Sequence, residues 1–256
     1  MSLLPIFFIS CFFSLSRATD CGGNKVTQTL IVGKYGHNAF RTIQAAIDSV
    51  RSNNDQWVKI HIKAGLYEES VIIPVDKPCI ILEGEGSGTI IRHSDHQSGD
   101  TDFIYGYGRS YYMNCFINVV GRFPNLPGFV TAQGRNSADD PSGFVFEGGS
   151  IVGNVKVNLG RAWRPYSRVI FKNTYFSDIV TPHGWVAWSA SGNERTTTYA
   201  EIDCKGPGAA DTSKRVPWMK KLSSSDLNEF SFASFINSDG WSMNLDDDIE
   251  CRISIA

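Results

Sequence analysis

Charge of one sign is what this sequence lacks most plainly: 24 Lys and Arg stand against 26 Asp and Glu, a formal net charge of −2 over 256 residues. That balance supplies no basic field of the kind that gathers phosphate backbones, so a nucleic-acid partner is disfavoured. Cysteine is sparse too. None of the six forms a CxxC pair or a zinc-ligand spacing, and their wide separation does not resemble a disulfide scaffold. No Asn is followed at the second position by Ser or Thr, so an N-glycosylation acceptor is missing. The one extended apolar run, SLLPIFFISCFFSL at residues 2–15, is short for a bilayer span but suits a signal-peptide core, with Ser14 and Ser16 where a peptidase could cut. Only the α-amino group supplies positive charge before it. The expectation is a secretory signal over 1–16 and one domain over 17–256. Five cysteines would then enter an oxidising compartment: Cys21, Cys79, Cys115, Cys204 and Cys251. An odd number leaves at least one thiol unpaired.

What is present suits a single β-rich core. Hydrophobic residues make up 42% of the chain, enough for one sizeable interior. Residues 33–50, GKYGHNAFRTIQAAIDSV, hold the one helical pattern, with Phe40, Ile43, Ala46, Ile47 and Val50 on one face. From Val58 onward come short β-branched runs such as VKIHI, SVIIP, CIILEG and TIIRH, and later GFVFEGGSIVG and SRVIFKNTYFSDIV, parted by Gly, Asn, Asp and Ser. A sandwich and a solenoid both fit. Several runs lack strict in-and-out alternation, which favours stacked parallel rungs with the helix sealing one end. Residues 205–225, rich in Gly, Pro, Ser and charge, read as a long loop leading to a tail on the outside.

Two segments carry candidate chemistry. GDTDFIYG at 99–106 sets the carboxylate of Asp102 before Phe103, Ile104 and Gly106, as where a strand presents one acid to a cleft. LGRAWRPY at 159–166 puts Arg161 and Trp163 two residues apart, on one face if extended. A guanidinium can hold an acid ionised, and an indole gives a flat platform for a sugar ring.

These segments, in order, resemble the pectin methylesterase (pectinesterase) family of plants. IVGKYGHNAFRTIQAAIDSV is similar to the family's opening strand and helix, and GLYEE at 65–69 matches its GxYxE motif. GDTDFIYG looks like the nucleophile motif GxVDFIFG; TAQGR at 131–135 and LGRAW match two further signatures, and PHGWVAW, YAEIDCKGPGA and RVPW follow in order. The resemblance implies a secreted cell-wall enzyme with an all-β fold, a single-stranded right-handed parallel β-helix with an N-terminal capping helix. It implies hydrolysis of methyl esters of polygalacturonate with Asp102 as nucleophile, Arg161 paired to it to lower its pKa, and Trp163, with Phe103, lining the groove. It implies no cofactor or metal, and methyl-esterified homogalacturonan as substrate. It further suggests a proteinaceous pectinesterase inhibitor as a partner, and a monomer.

The chain also departs from that pattern. The family's QAVALR and YQDTLY blocks, which supply two oxyanion glutamines and a second aspartate as general acid and base, do not occur in it. HSDHQS runs straight into GDTDFIYG, a shortfall on the order of 70 residues, or about three rungs. Asp100 and Gln97 are the nearby candidates for a donor and an oxyanion contact, with a tolerated variant the plainer reading of Asp100. Alternatives to an impaired esterase are a non-catalytic pectin-binding remnant and the product of a truncated gene model. A polygalacturonase would need clustered carboxylates and a lyase calcium ligands, and neither constellation is evident.

Overall fold

The computed structural model describes residues 21–22, 25–37, 39–74, 76–85, 88–93, 102–106, 108–121, 127–236 and 252–255. The expected signal at 1–16, Gln97, Asp100 and Cys251 lie outside them. The chain opens with β1 (Val26–Val32), α1 (Ile43–Ser49), β2 (Trp57–Ile62), β3 (Gly65–Glu68), β4 (Ile80–Gly84) and β5 (Thr89–His93). A second block holds β6 (Asp102–Gly106), β7 (Arg109–Met113), β8 (Phe116–Val119), β9 (Gly128–Gln133), β10 (Gly143–Glu147), β11 (Ser150–Gly153) and β12 (Val157–Ala162). It continues with β13 (Arg168–Lys172), β14 (Tyr175–Phe176), β15 (Trp185–Val186) and β16 (Thr198–Ile202). Helices α2 (Ser224–Glu229) and α3 (Phe232–Phe235) and strand β17 (Arg252–Ile255) follow.

Every described strand pairing is parallel, and the strands form four sheets ordered β1-β2-β4, β6-β9-β12-β15, β7-β10-β13-β16 and β3-β5-β17-β8-β11-β14. In the second block successive strands visit the three sheets in turn, which is the rung-by-rung winding of a parallel β-helix. Like residues stack on like. Tyr112, Phe146 and Phe171 are register partners in β7, β10 and β13, and their rings stack at 4.4 and 4.6 Å between centroids. Such in-register apolar ladders fill the interior that alternation alone would leave half polar.

The corners are written in the sequence. Where each rung turns after β7, β10, β13 and β16 stand Asn114, Gly148, Asn173 and Asp203, all left-handed with φ of 50, 68, 52 and 50°. Only Gly, Asn and Asp enter that region readily, because a larger side chain collides with its own backbone. Successive corners are bonded: the amides of Asn114, Gly148 and Asn173 donate to the carbonyls of Glu147, Lys172 and Ile202. Gly149 adds a second constraint, since its φ is +65° and a Cβ there would overlap the Cys115 carbonyl oxygen of the rung below.

The N-terminal helix is shorter than its pattern. Phe40 bridges Val32, and its amide donates to Ile31 O at 2.8 Å, so residues 33–40 fold back beside β1 and the helix starts only at Ile43, capped by Thr42. Ile43, Ala46 and Ile47 are buried with Val32, Ile60, Ile62 and Tyr67, so the helix covers the interior at that end. Cys21 and Cys79 form a disulfide beside Trp57. Cys204 remains a thiol, and burial pushes its pKa up to about 11.

One buried ion pair fixes the far end. Arg215 binds Glu201 through both carboxylate oxygens, Nε to Oε1 at 2.8 Å and Nη2 to Oε2 at 3.0 Å. Its remaining protons go to the carbonyls of Thr181, Pro182 and Gly208, and Trp185 Nε1 donates to Glu201 Oε1 at 3.0 Å. The segments PHGWVAW, YAEIDCKGPGA and RVPW therefore meet in one knot that holds β15 in place.

Two predictions follow from these contacts. Glu201→Gln strands a buried guanidinium and is expected to lower unfolding free energy by about 3–5 kcal/mol in denaturant titration, whereas a surface change such as Glu68→Gln should have little effect. Gly149→Ala forces a left-handed residue against a neighbouring carbonyl and should cost about 1–3 kcal/mol or more; an unchanged midpoint would contradict the stacking at that corner.

Candidate active site

Asp102 and Arg161 lie on the same sheet, in β6 and β12 with β9 between them. Parallel register defines the rows. Asp102 pairs with Phe129, which pairs with Asn158; Ile104 aligns with Thr131, Gly160 and Trp185; Tyr105 aligns with Ala132, Arg161 and Val186. By backbone position, then, Arg161 sits two strands across, about 10 Å, and three rows along, about 10 Å more, from Asp102.

The guanidinium of Arg161 sits between two rings. Arg161 is 4% exposed, and its Cζ lies 4.7 Å from the Phe129 ring centroid and 4.2 Å from that of Trp188. Phe129 is the strand neighbour of Asp102. Phe129 and Trp188 meet edge to face, with centroids 6.0 Å apart and an interplanar angle of 69°. The two rings hold the cation by its attraction to their π faces and shield it from water. Trp188 itself is 46% exposed and left-handed with φ of 46°, which places a large aromatic surface at the rim.

Gly160 makes this packing feasible. A Cβ there would overlap Thr131 Oγ1 and come within 3.2 Å of Trp185 Cζ3, so the glycine of LGRAW is required by close approach between rungs. Thr131 Oγ1 donates to Leu159 O at 2.9 Å, tying the same strands together. The TAQGR segment is scaffold throughout. Gln133 Oε1 accepts from the Arg168 amide at 2.8 Å, and its Nε2 donates to Ser142 Oγ at 3.4 Å. Arg135 donates to the carbonyls of Asp140, Tyr166 and Ala138. Burial draws the Arg135 pKa below its ordinary value, against the opposing pull of Asp140 and Asp139. Arg168 is drawn down to about 10, first by burial and then by the charge of Arg135.

Trp163 falls one residue past the end of β12, half-buried, with its amide donating to Gln133 O at 3.1 Å. That bond carries the ladder with β9 one step past Ala162, and the rings over the Arg161 guanidinium are those of Phe129 and Trp188. Neither was singled out by pattern. Trp188 was within reach, since PHGWVAW is a quoted signature, but its left-handed backbone takes it out of any strand periodicity. Phe103 lies in β6, beside the row of Val130 and Leu159.

A family model for pectinesterase matches residues 29–101 and 92–239 of the chain. "Probable pectinesterase 55" of Arabidopsis thaliana is 36% identical over 295 aligned positions, which cover 83% of this chain and 89% of that protein. "Probable pectinesterase 29" of the same plant is 34% identical over 297 positions, covering 84% and 88%. Among solved structures, pectin methylesterase from carrot superposes with a TM-score of 0.52 at 22% identity, over 88% of this chain and 98% of that one. Pectin methylesterase from Aspergillus niger gives 0.52 at 21%, with the same coverage. The two structures share the fold; the sequence matches, which take in the strand of Asp102 and the clamp around Arg161, show that the chain belongs to the pectinesterase family.

Proposed function

We propose that the protein engages methyl-esterified homogalacturonan along the sheet of β6, β9, β12 and β15 and hydrolyses its methyl esters slowly, as a secreted monomer of the plant cell wall. The observation that carries this reading is the Arg161 guanidinium, clamped between Phe129 and Trp188 on the sheet whose strand β6 carries Asp102. A buried cation beside a carboxylate keeps it ionised, and an exposed indole suits the apolar face of a galacturonate ring.

In the reaction so read, an Asp102 oxygen attacks the ester carbonyl carbon. The tetrahedral oxyanion then expels methoxide, which takes a proton to leave as methanol. The acyl-enzyme, an anhydride, is opened by water, returning the Asp102 carboxylate and freeing the galacturonate. Trp163, half-buried just past β12, would line the groove.

The slow rate rests on what the sequence lacks. Without QAVALR and YQDTLY there are no family glutamines for the oxyanion and no second aspartate for proton transfer. Gln133 cannot stand in, because its amide is spent on Ser142 and the Arg168 backbone. The alignment lengths support a shortened chain, since 295 aligned positions exceed the 256 residues available. So does the family match, whose two stretches meet at residues 92–101. Oxyanion donors contribute about 10²–10³ in rate and a positioned acid a further 10²–10⁴ or so.

Methanol release from methylated pectin tests the reading. The natural chain is expected to turn over at a rate lower by at least about 10⁴ than a relative with both blocks, and Asp102→Ala should abolish even that. Equal rates for the natural chain and Asp102→Ala, with pectin still bound, would favour a second reading, a pectin-binding protein without catalysis, for which the intact aromatic clamp is the supporting observation.

A further inference from the structure

The stack is made of two blocks with separate interiors. Val32, Ile43, Ala46, Ile47, Ile60, Ile62 and Tyr67 form one apolar cluster, while Ile117, Val119, Val130, Phe146 and Phe171 belong to another. Strand pairing shows the same division. In β1-β2-β4 the last strand is an edge, and in β6-β9-β12-β15 and β7-β10-β13-β16 the strands β6 and β7 are edges. Among the described residues, the blocks β1–β5 and β6–β16 are joined by backbone pairing at one place, and the joining strand is β17 from the far end of the chain.

β17 lies parallel between β5 and β8. Ile253 is in register with Ile91 and Ile117, Ser254 with Arg92 and Asn118, and Ile255 with His93 and Val119. Followed across the sheet, the row of Ile253 reads Tyr67, Ile91, Ile253, Ile117, Ile151, Phe176. Of these, Tyr67, Ile117, Ile151 and Phe176 are buried. By backbone register the tail thus takes a place in a row whose other members are all apolar.

The segment just before it spans the same seam from outside. Phe232 and Ile236 pack with Cys21, Trp57 and Cys79 of the first block. On the second block, the Phe232 ring meets Tyr111 edge-on at 5.1 Å, and Phe230 and Phe235 are buried with Val145, Ile170 and Ala200. Capping at Ser223, whose side chain accepts from the Asp226 amide while Asp226 accepts from the Ser223 amide, fixes where α2 begins.

We propose that the C-terminal segment is a splint: a strand-docking slot between β5 and β8 is filled by residues 252–255 of the same chain, and α3 clamps the seam on the outer face. The slot is the gap left where consecutive blocks fail to pair, and its occupant is a β-branched strand, Arg-Ile-Ser-Ile, of matching alternation. Strand addition to two open edges satisfies backbone groups on both sides at once, which a single edge cannot do.

Deleting residues 251–256 tests this. Amide exchange across 89–93 and 116–119 should accelerate at least tenfold while 168–172 stays protected, and a synthetic peptide of 251–256 added in trans should restore it. Unchanged exchange in both segments would overturn the proposal. Should the deleted chain not fold, the full-length pair Ser254→Cys with Asn118→Cys decides. The expected result is a 254–118 disulfide within one chain, located by peptide mapping. Absence of that link, or a link only between two copies, would overturn the docking of the chain's own tail.

Discussion

A guanidinium held between two aromatic rings is the interaction on which the site depends. Arg161 is almost fully removed from water, and a bare cation in that position would be costly. The faces of Phe129 and Trp188 compensate part of that cost and set where the charge points. Each ring is delivered by a different rung. Phe129 comes from β9, one strand from Asp102, and Trp188 from the turn after β15, which is anchored by the buried Arg215, Glu201 and Trp185. The knot at the far end therefore supports the turn that carries Trp188.

The stack explains why the second block is self-sufficient. Each rung touches mainly the next, so β6 to β16 retain their pairings whatever lies beyond β6. The cost appears at the seam, where two edges would be left open and the interior is divided. There the tail and α3 are placed.

Much of this was legible in the sequence, and for physical reasons. Short β-branched runs and Asn, Gly or Asp at recurring corners encode rungs, because stacked strands and left-handed turns admit few other residues. The family motifs pointed to Asp102 and Arg161, which the fold sets on one sheet, two strands apart. Other features were not legible. The helix read over 33–50 begins only at Ile43, because Phe40 is drawn back to β1 by a pairing that helical periodicity does not register. The stretch 205–225 is largely irregular, yet α2 begins inside it at Ser224 and α3 follows; the signals were the Ser223 and Asp226 capping box for α2 and the Ser231 cap for α3 rather than any apolar stripe. The pairing of Cys21 with Cys79 joins residues 58 apart and depends on the rungs between them. Trp188 escaped because its role is set by a left-handed backbone.

Affinity for de-esterified polygalacturonate, measured for the natural chain and for Trp188→Ala at matched thermal stability, tests the central claim most directly. Removal of the indole should weaken binding by about 5- to 30-fold, in line with about 1–2 kcal/mol for one aromatic contact. Unaltered affinity in the variant would contradict the placing of the acidic polymer over the Arg161 clamp.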